Sequence, residues 1–161
     1  MLAQRLVEVI RGLAGDFTGK TALHVAAERG HAGVVRTMLE GVGDDEAARQ
    51  LARTPSSIGL TALHLAAIFG HADAVRALLE GVGDDEAARQ LARVPSSSGG
   101  LTALHMAAVG GNADAVRALL EGVGDGEAAR QLARVPSFGG FTALQLAAND
   151  SVCAALQEAC A

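Results

Sequence analysis

The chain has no tryptophan and no tyrosine, and only four phenylalanines among 161 residues. A core so poor in aromatic rings must be filled by small aliphatic side chains, and half of the residues are apolar while 19% are charged. That balance is too hydrophobic for a disordered chain. Long apolar runs are missing as well: none approaches the roughly 18 to 20 uninterrupted residues that a membrane-spanning helix needs, so no membrane partner is expected. Lysine is nearly absent, Lys20 being the only one, and 13 Lys and Arg stand against 18 Asp and Glu, for a net charge of -5. Such a chain presents no basic face to a phosphate backbone, which sets nucleic acid aside as a partner. Cysteine is scarce too. Cys153 and Cys160 lie seven apart, about 10 Å of rise on a continuous helix and beyond disulfide reach, and both are expected as buried thiols. Arg5, Glu8 and Arg11 interrupt what would have to be the apolar stretch of a secretory signal, so a reducing, cytoplasmic setting is expected.

What the sequence does have is repetition. Thr21-Ala-Leu-His-Val-Ala-Ala27 returns as Thr61-Ala-Leu-His-Leu-Ala-Ala67, Thr102-Ala-Leu-His-Met-Ala-Ala108 and Thr142-Ala-Leu-Gln-Leu-Ala-Ala148, at intervals of 40, 41 and 40 residues. A second phrase, Gly41 to Arg53, recurs unchanged as Gly81 to Arg93 and again as Gly122 to Arg134, with Gly126 in place of one Asp. Self-similarity at a fixed period of this size predicts a stacked array in which no unit buries its apolar face without its neighbours.

Each unit reads as helices, which makes the fold class all-α. The Thr of the first phrase is a natural N-cap, and the Ala-Leu-x-x-Ala-Ala behind it contains no breaker, so helix A begins there. Gly30, Gly70 and Gly111 stand nine residues after their Thr, where a helix ending in the left-handed conformation favours a residue without Cβ. Val34, Val35, Met38 and Leu39, with their counterparts at 74, 75, 78 and 79 and at 115, 116, 119 and 120, trace one face of a helix B antiparallel to A. The second phrase predicts a third, short helix: acids at its start, Arg at its end, Ala47, Ala48 and Leu51 on one face, and Pro55 beyond it. Leu6, Val9, Ile10 and Leu13 predict an equivalent helix within Leu2 to Leu13 that caps the start of the array.

Thr61 to His71 followed by Val75 to Gly81 closely resembles the ankyrin repeat, and the resemblance covers roughly residues 15 to 160 in four tandem copies. Two features depart from the family pattern. Ala22, Ala62, Ala103 and Ala143 replace the usual proline, which loses a pre-set φ but keeps a good helix former. The period is about 40 rather than 33 residues, and the surplus falls where the family carries its β-hairpin finger, which a helical turn would then replace or enlarge. The domain organisation expected is a cap helix and loop at 1–20, units at 21–60, 61–101 and 102–141, and a capping unit at 142–161 in which Ser151 replaces the turn glycine and Asn149, Asp150 and Gln157 face water.

The resemblance implies a non-enzymatic scaffold that binds another protein; a monomer without a cofactor is expected. The pair following Ala-Ala changes from unit to unit: Glu28-Arg29, Ile68-Phe69, Val109-Gly110 and Asn149-Asp150. Variable positions in a conserved phrase are not the shared core, and in the family this end of helix A lines the concave groove. Glu28, Arg29, Ile68, Phe69 and Val109 are therefore the partner-binding candidates, with the loop residues Phe17, Ile58, Phe138 and Phe141 behind them. For the aromatic residues the competing reading is that they close gaps between units. The unbroken identity of Glu40–Arg53 with Glu80–Arg93 fits an engineered repeat scaffold and a recent natural duplication equally, and a purely structural role through end-to-end stacking stands as a third reading.

Other motifs compete less well. Ala14 to Thr21 satisfies a loose phosphate-loop pattern through Gly19-Lys20-Thr21, but a helix and not a strand precedes it, and the register-matched Thr61, Thr102 and Thr142 lack the lysine. His24, His64 and His105 recur once per unit. Stacking spaces them by roughly 8 to 10 Å, whereas the ligands of one zinc lie about 2 Å from it, so they are expected to hydrogen-bond backbone. His31, His71 and, in the third unit, Asn112 are expected to act similarly. No nucleophile, base and orienting acid can be singled out, and the acid-rich phrase lacks the alternating oxygen ligands of a calcium loop. Asp44-Asp45, Asp84-Asp85 and Asp125 are expected to draw a line of negative charge along one edge, attractive to a basic partner.

Overall fold

The computed structural model describes residues 19–161, and ten helices and no strand occur among them. The expected cap helix at 2–13, Phe17 and most of the loose phosphate loop lie outside the described residues. Three helices repeat three times. Helix A is α1 (Ala22–Glu28), helix B is α2 (Ala32–Gly41), and the inserted helix is α3 (Asp45–Arg53). The second unit repeats them as α4 (Ala62–Ile68), α5 (Ala72–Gly81) and α6 (Asp85–Ala92). The third follows as α7 (Ala103–Val109), α8 (Ala113–Gly122) and α9 (Gly126–Arg134), and α10 (Asp150–Cys160) closes the chain. Helices A stack on helices A and helices B on helices B, with α10 continuing the B layer against α8 and α9.

Local chemistry sets these boundaries. Thr21, Thr61 and Thr102 hold extended backbone at the N-cap and close a reciprocal box with the His three residues on. Gly30, Gly70 and Gly111 have φ of 75°, 79° and 71°, the left-handed turn that ends helix A. They have a second reason to be glycine: a Cβ on Gly30 would stand 2.6 Å from the His71 ring of the following unit. Asp44, Asp84 and Asp125 cap the inserted helices by accepting from Ala47, Ala87 and Ala128 backbone N–H.

The core is aliphatic and continuous along the array. Leu23, Leu63 and Leu104 of helices A, Val35, Val75 and Val116 of helices B, and Leu51, Leu91 and Leu132 of the inserted helices are all buried. The inserted helix is thus held by packing, as a helix of eight or nine residues must be. Gly81 and Gly122, at the ends of α5 and α8, lie so close under Leu39 and Leu79 that a side chain there would collide with them.

The insertion adds to the loop before helix A and does not replace it. After α3 the chain still makes a tight loop, Ser56 N–H donating to Leu60 C=O at 2.9 Å, and successive loops are joined by Ser97 N–H to Gly59 C=O and Phe138 N–H to Gly99 C=O.

The last unit departs from the expected pattern. The phrase from Thr142 forms a single turn over 143–146, and α10 starts at Asp150, so Ser151 lies inside a helix and not at a turn. Asn149 is the cause: its side chain accepts from Val152 N–H at 3.0 Å and starts helix B where helix A would have ended. Asn149, Asp150 and Gln157 are exposed as expected, whereas the cysteines are not both buried. Cys153 is half-buried and Cys160 exposed, no unit among the described residues covering that side of α10.

Candidate functional site

The helix A ends form one row, since α1, α4 and α7 stack in register. Phe69 caps α4 and is 54% exposed, and Val109, the last residue of α7, is 48% exposed. Ile68 is half-buried, and its C=O takes Asn112 Nδ2 at 2.7 Å. Arg29 is exposed, while Glu28 is half-buried with its Oε2 2.6 Å from Lys20 Nζ. The row therefore runs from charge at the first unit to bare apolar surface at the second and third.

The loop residues form a second row at the other end of helix A, about 10 Å away along its seven residues. Ile58, Phe138 and Phe141 are exposed there, Phe138 most of all at 74%. The structure so separates the candidates into two rows. Two further apolar residues are exposed that were not among the partner-binding candidates: Val34, expected on the apolar face of helix B, at 45%, and Leu144 at 41%. Both repeat a position that is fully buried in other units, so the local sequence carried no signal; each lies at an end of the described array.

The histidines are structural members of the seams. Nδ1 of His24, His64 and His105 accepts the backbone N–H of Thr21, Thr61 and Thr102 at 3.0 to 3.1 Å, which leaves the proton on Nε2. Nε2 then donates to the C=O of Leu60, Leu101 and Phe141 in the following loop at 2.9 to 3.0 Å. Each imidazole is thus a bridge between two units. Burial holds His64 down at about 4 against its usual 6.5, and burial lowers His105 as well. His71 donates to Glu28 C=O in the preceding unit, and Asn112 does the same to Ala67 and Ile68. His31 differs from the expectation: it is exposed, with no preceding helix A among the described residues to receive it.

The acid line is interrupted by arginine. Arg49 donates to Asp84 at 2.9 Å and to Val82 C=O at 3.0 Å, and Arg89 repeats this on Asp125 and Val123. Arg53 reaches Gln90 and Arg93 reaches Gln131. Asp84 and Asp125 thus belong to a ladder between inserted helices, while Asp44, Asp45 and Asp85 stay exposed along the same edge. The loose phosphate loop fares similarly, because Lys20 pairs with Glu28 and the Thr21 hydroxyl meets His24 Nδ1 at 2.7 Å. No group of three or more His, Cys, Asp or Glu among the described residues is placed to hold a metal ion, and none of the described helices is long and apolar enough to cross a membrane.

Stacked layers of one helical pattern, joined by seams that repeat bond for bond, define an α-helical repeat solenoid. The model for ankyrin repeats in three copies matches residues 2–88 and again 81–159, and the chain belongs to the ankyrin repeat family. Members of this family generally bind other proteins and are typically not enzymes. No curated protein matches the chain.

Proposed function

We propose that this chain is a non-enzymatic scaffold that binds another protein through the helix A ends, with the loop row as a flanking contact. The observation that carries the reading is the exposure of Phe69 and Val109 at stations whose neighbours in the phrase are buried. A large apolar side chain left half in water on a rigid layer offers area to a partner at low entropic cost. Ile68 adds to the same patch, and Glu28 and Arg29 give it a polar margin.

The competing packing role for Phe69 is separable by experiment. Phe69→Ala and an Ile68/Phe69 double alanine variant are compared with the wild type for melting temperature and for proteins captured from a cell extract. Loss of a captured protein with an unchanged melting temperature supports the binding role. A sharply lowered melting temperature, with capture by the folded fraction intact, makes Phe69 a packing residue and defeats the reading.

A further inference from the structure

We propose that the trough between helices B and the inserted helices binds a basic polyproline II segment of another protein, one Arg or Lys side chain entering each cavity along it. The surplus residues of the long period set an inserted helix beside each helix B, and a cavity opens where the two meet. Between the second and third units it measures about 400 Å³ and is lined by Arg76, Leu79, Asp85, Ala88, Ala118 and Glu121, among others. Between the first and second units its register-matched counterpart measures about 380 Å³. Glu80 and Gly83 line both, so the cavities are successive stations of one trough. Each has the size of a ligand pocket.

The floor is apolar and the margin anionic. Leu79, Ala88 and Ala118 are buried beneath the first cavity, and Leu39, Ala48 and Ala77 beneath the second. Glu80, Asp84, Asp85 and Glu121 surround the first against the single Arg76; Glu40, Asp44, Asp45 and Glu80 surround the second against Arg36. Those two arginines are already engaged by Asp73, Glu121 and Glu80 at 3.2 to 3.9 Å. The carboxylates of Glu40, Asp45 and Asp85, by contrast, meet no donor among the described residues. An alkyl stem laid on such a floor, with its cationic head among the carboxylates, complements the trough in both polarity and charge.

Spacing selects the backbone of the occupant. Stacked helices lie about 8 to 10 Å apart. A polyproline II chain rises about 3.1 Å per residue with three residues per turn, so every third side chain points the same way at intervals of about 9 Å. A β-strand alternates its faces and turns residues i and i+3 to opposite sides. The matching pattern is therefore Arg-x-x-Arg. The ten residues of α5 separate the trough from the Phe69 row by about 15 Å, which makes it a second surface, owed to the inserted helix alone.

Fluorescence anisotropy with a labelled peptide of three Arg-Pro-Pro repeats tests it, the full chain being titrated at low salt. Saturable binding is expected, and a peptide of the same composition with its three Arg adjacent is expected to bind several-fold more weakly because it cannot reach successive cavities. A Glu80→Gln/Asp85→Asn variant, its fold checked by circular dichroism, is expected to weaken binding about tenfold. Asp45→Asn/Glu121→Gln takes its place if it does not fold. Phe69→Ala, which tests the helix A ends, is expected to leave the peptide affinity unchanged, so the two surfaces are read separately. No saturable binding up to millimolar chain, equal binding of the two peptides, full affinity in the folded carboxamide variant, or loss of affinity in Phe69→Ala overturns the proposal.

Discussion

Residues 61–67 and 142–148 differ by one side chain, His64 against Gln145, yet the first stretch makes a helix of seven residues and the second a single turn. Propensity cannot account for this, because the two phrases share it. Two things outside the phrase do. Behind Ala67 come Ile68, Phe69 and the left-handed Gly70, whereas behind Ala148 comes Asn149, which caps the next helix at once. Around the first stretch a neighbouring layer lies on each side, and around the second only one. A helix this short forms when its apolar face is covered, and the last copy lacks the cover.

The comparison is most directly broken at the shared leucine. Leu63 is fully buried and Leu144 is 41% exposed, so Leu63→Ala is expected to cost about 2 to 5 kcal/mol and Leu144→Ala under about 1 kcal/mol in chemical denaturation. Equal losses would mean that the last unit is packed like the others.

Acid sharpens the contrast next. The His64 imidazole has its usual 6.5 in the unfolded chain and about 4 in the fold. The unfolded state therefore takes up the proton first, and stability falls as pH drops from 6.5 to 4, by on the order of 3 kcal/mol from this residue, with no further loss from it below that. Denaturation midpoints across this interval check the slope, and His64→Gln is expected to flatten it. At neutral pH that substitution leaves the Leu101 carbonyl without its donor and is expected to cost about 1 to 3 kcal/mol. Gln145→His, where no following loop waits, is expected to change stability by less than about 0.5 kcal/mol in the same assay.

The smallest effect concerns the inserted helices. Asp84 caps α6 and also meets Arg49, while Asp44 caps α3 with no arginine partner among the contacts of the described residues. Each alanine substitution is expected to cost about 1 kcal/mol for the lost cap. Asp84→Ala is expected to cost a few tenths of a kcal/mol more for the exposed ion pair, an excess that salt removes. Identical losses at both positions would show that the ladder contributes nothing to stability.

Much of this was legible in the residues alone. The period, the Thr caps, the turn glycines, the inserted helix and the backbone role of His24, His64 and His105 all rest on contacts a few residues apart or on strict repetition, and such signals survive in one dimension. Variation after Ala-Ala among near-identical copies marked Phe69 and Val109 as positions that the common core does not use, whereas for Phe69, Phe138 and Phe141 the residues alone also allowed gap-closing between units, and only the structure showed them exposed. The cap at Asn149 was also present as an Asn-Asp pair before an apolar stripe, but the pull of the repeat register hid it.

What the tertiary structure alone decided is everything that depends on which neighbour is present. Arg49 and Arg89 turn the capping acids into a ladder only because a following inserted helix lies within reach. Leu144, Val34, His31 and Cys160 carry side chains of types that are buried or bonded in interior copies, and they stand open because a face is buried by what stacks on it and not by its own sequence. Repetition determined what each layer is made of; position along the stack determined which of its surfaces meet water.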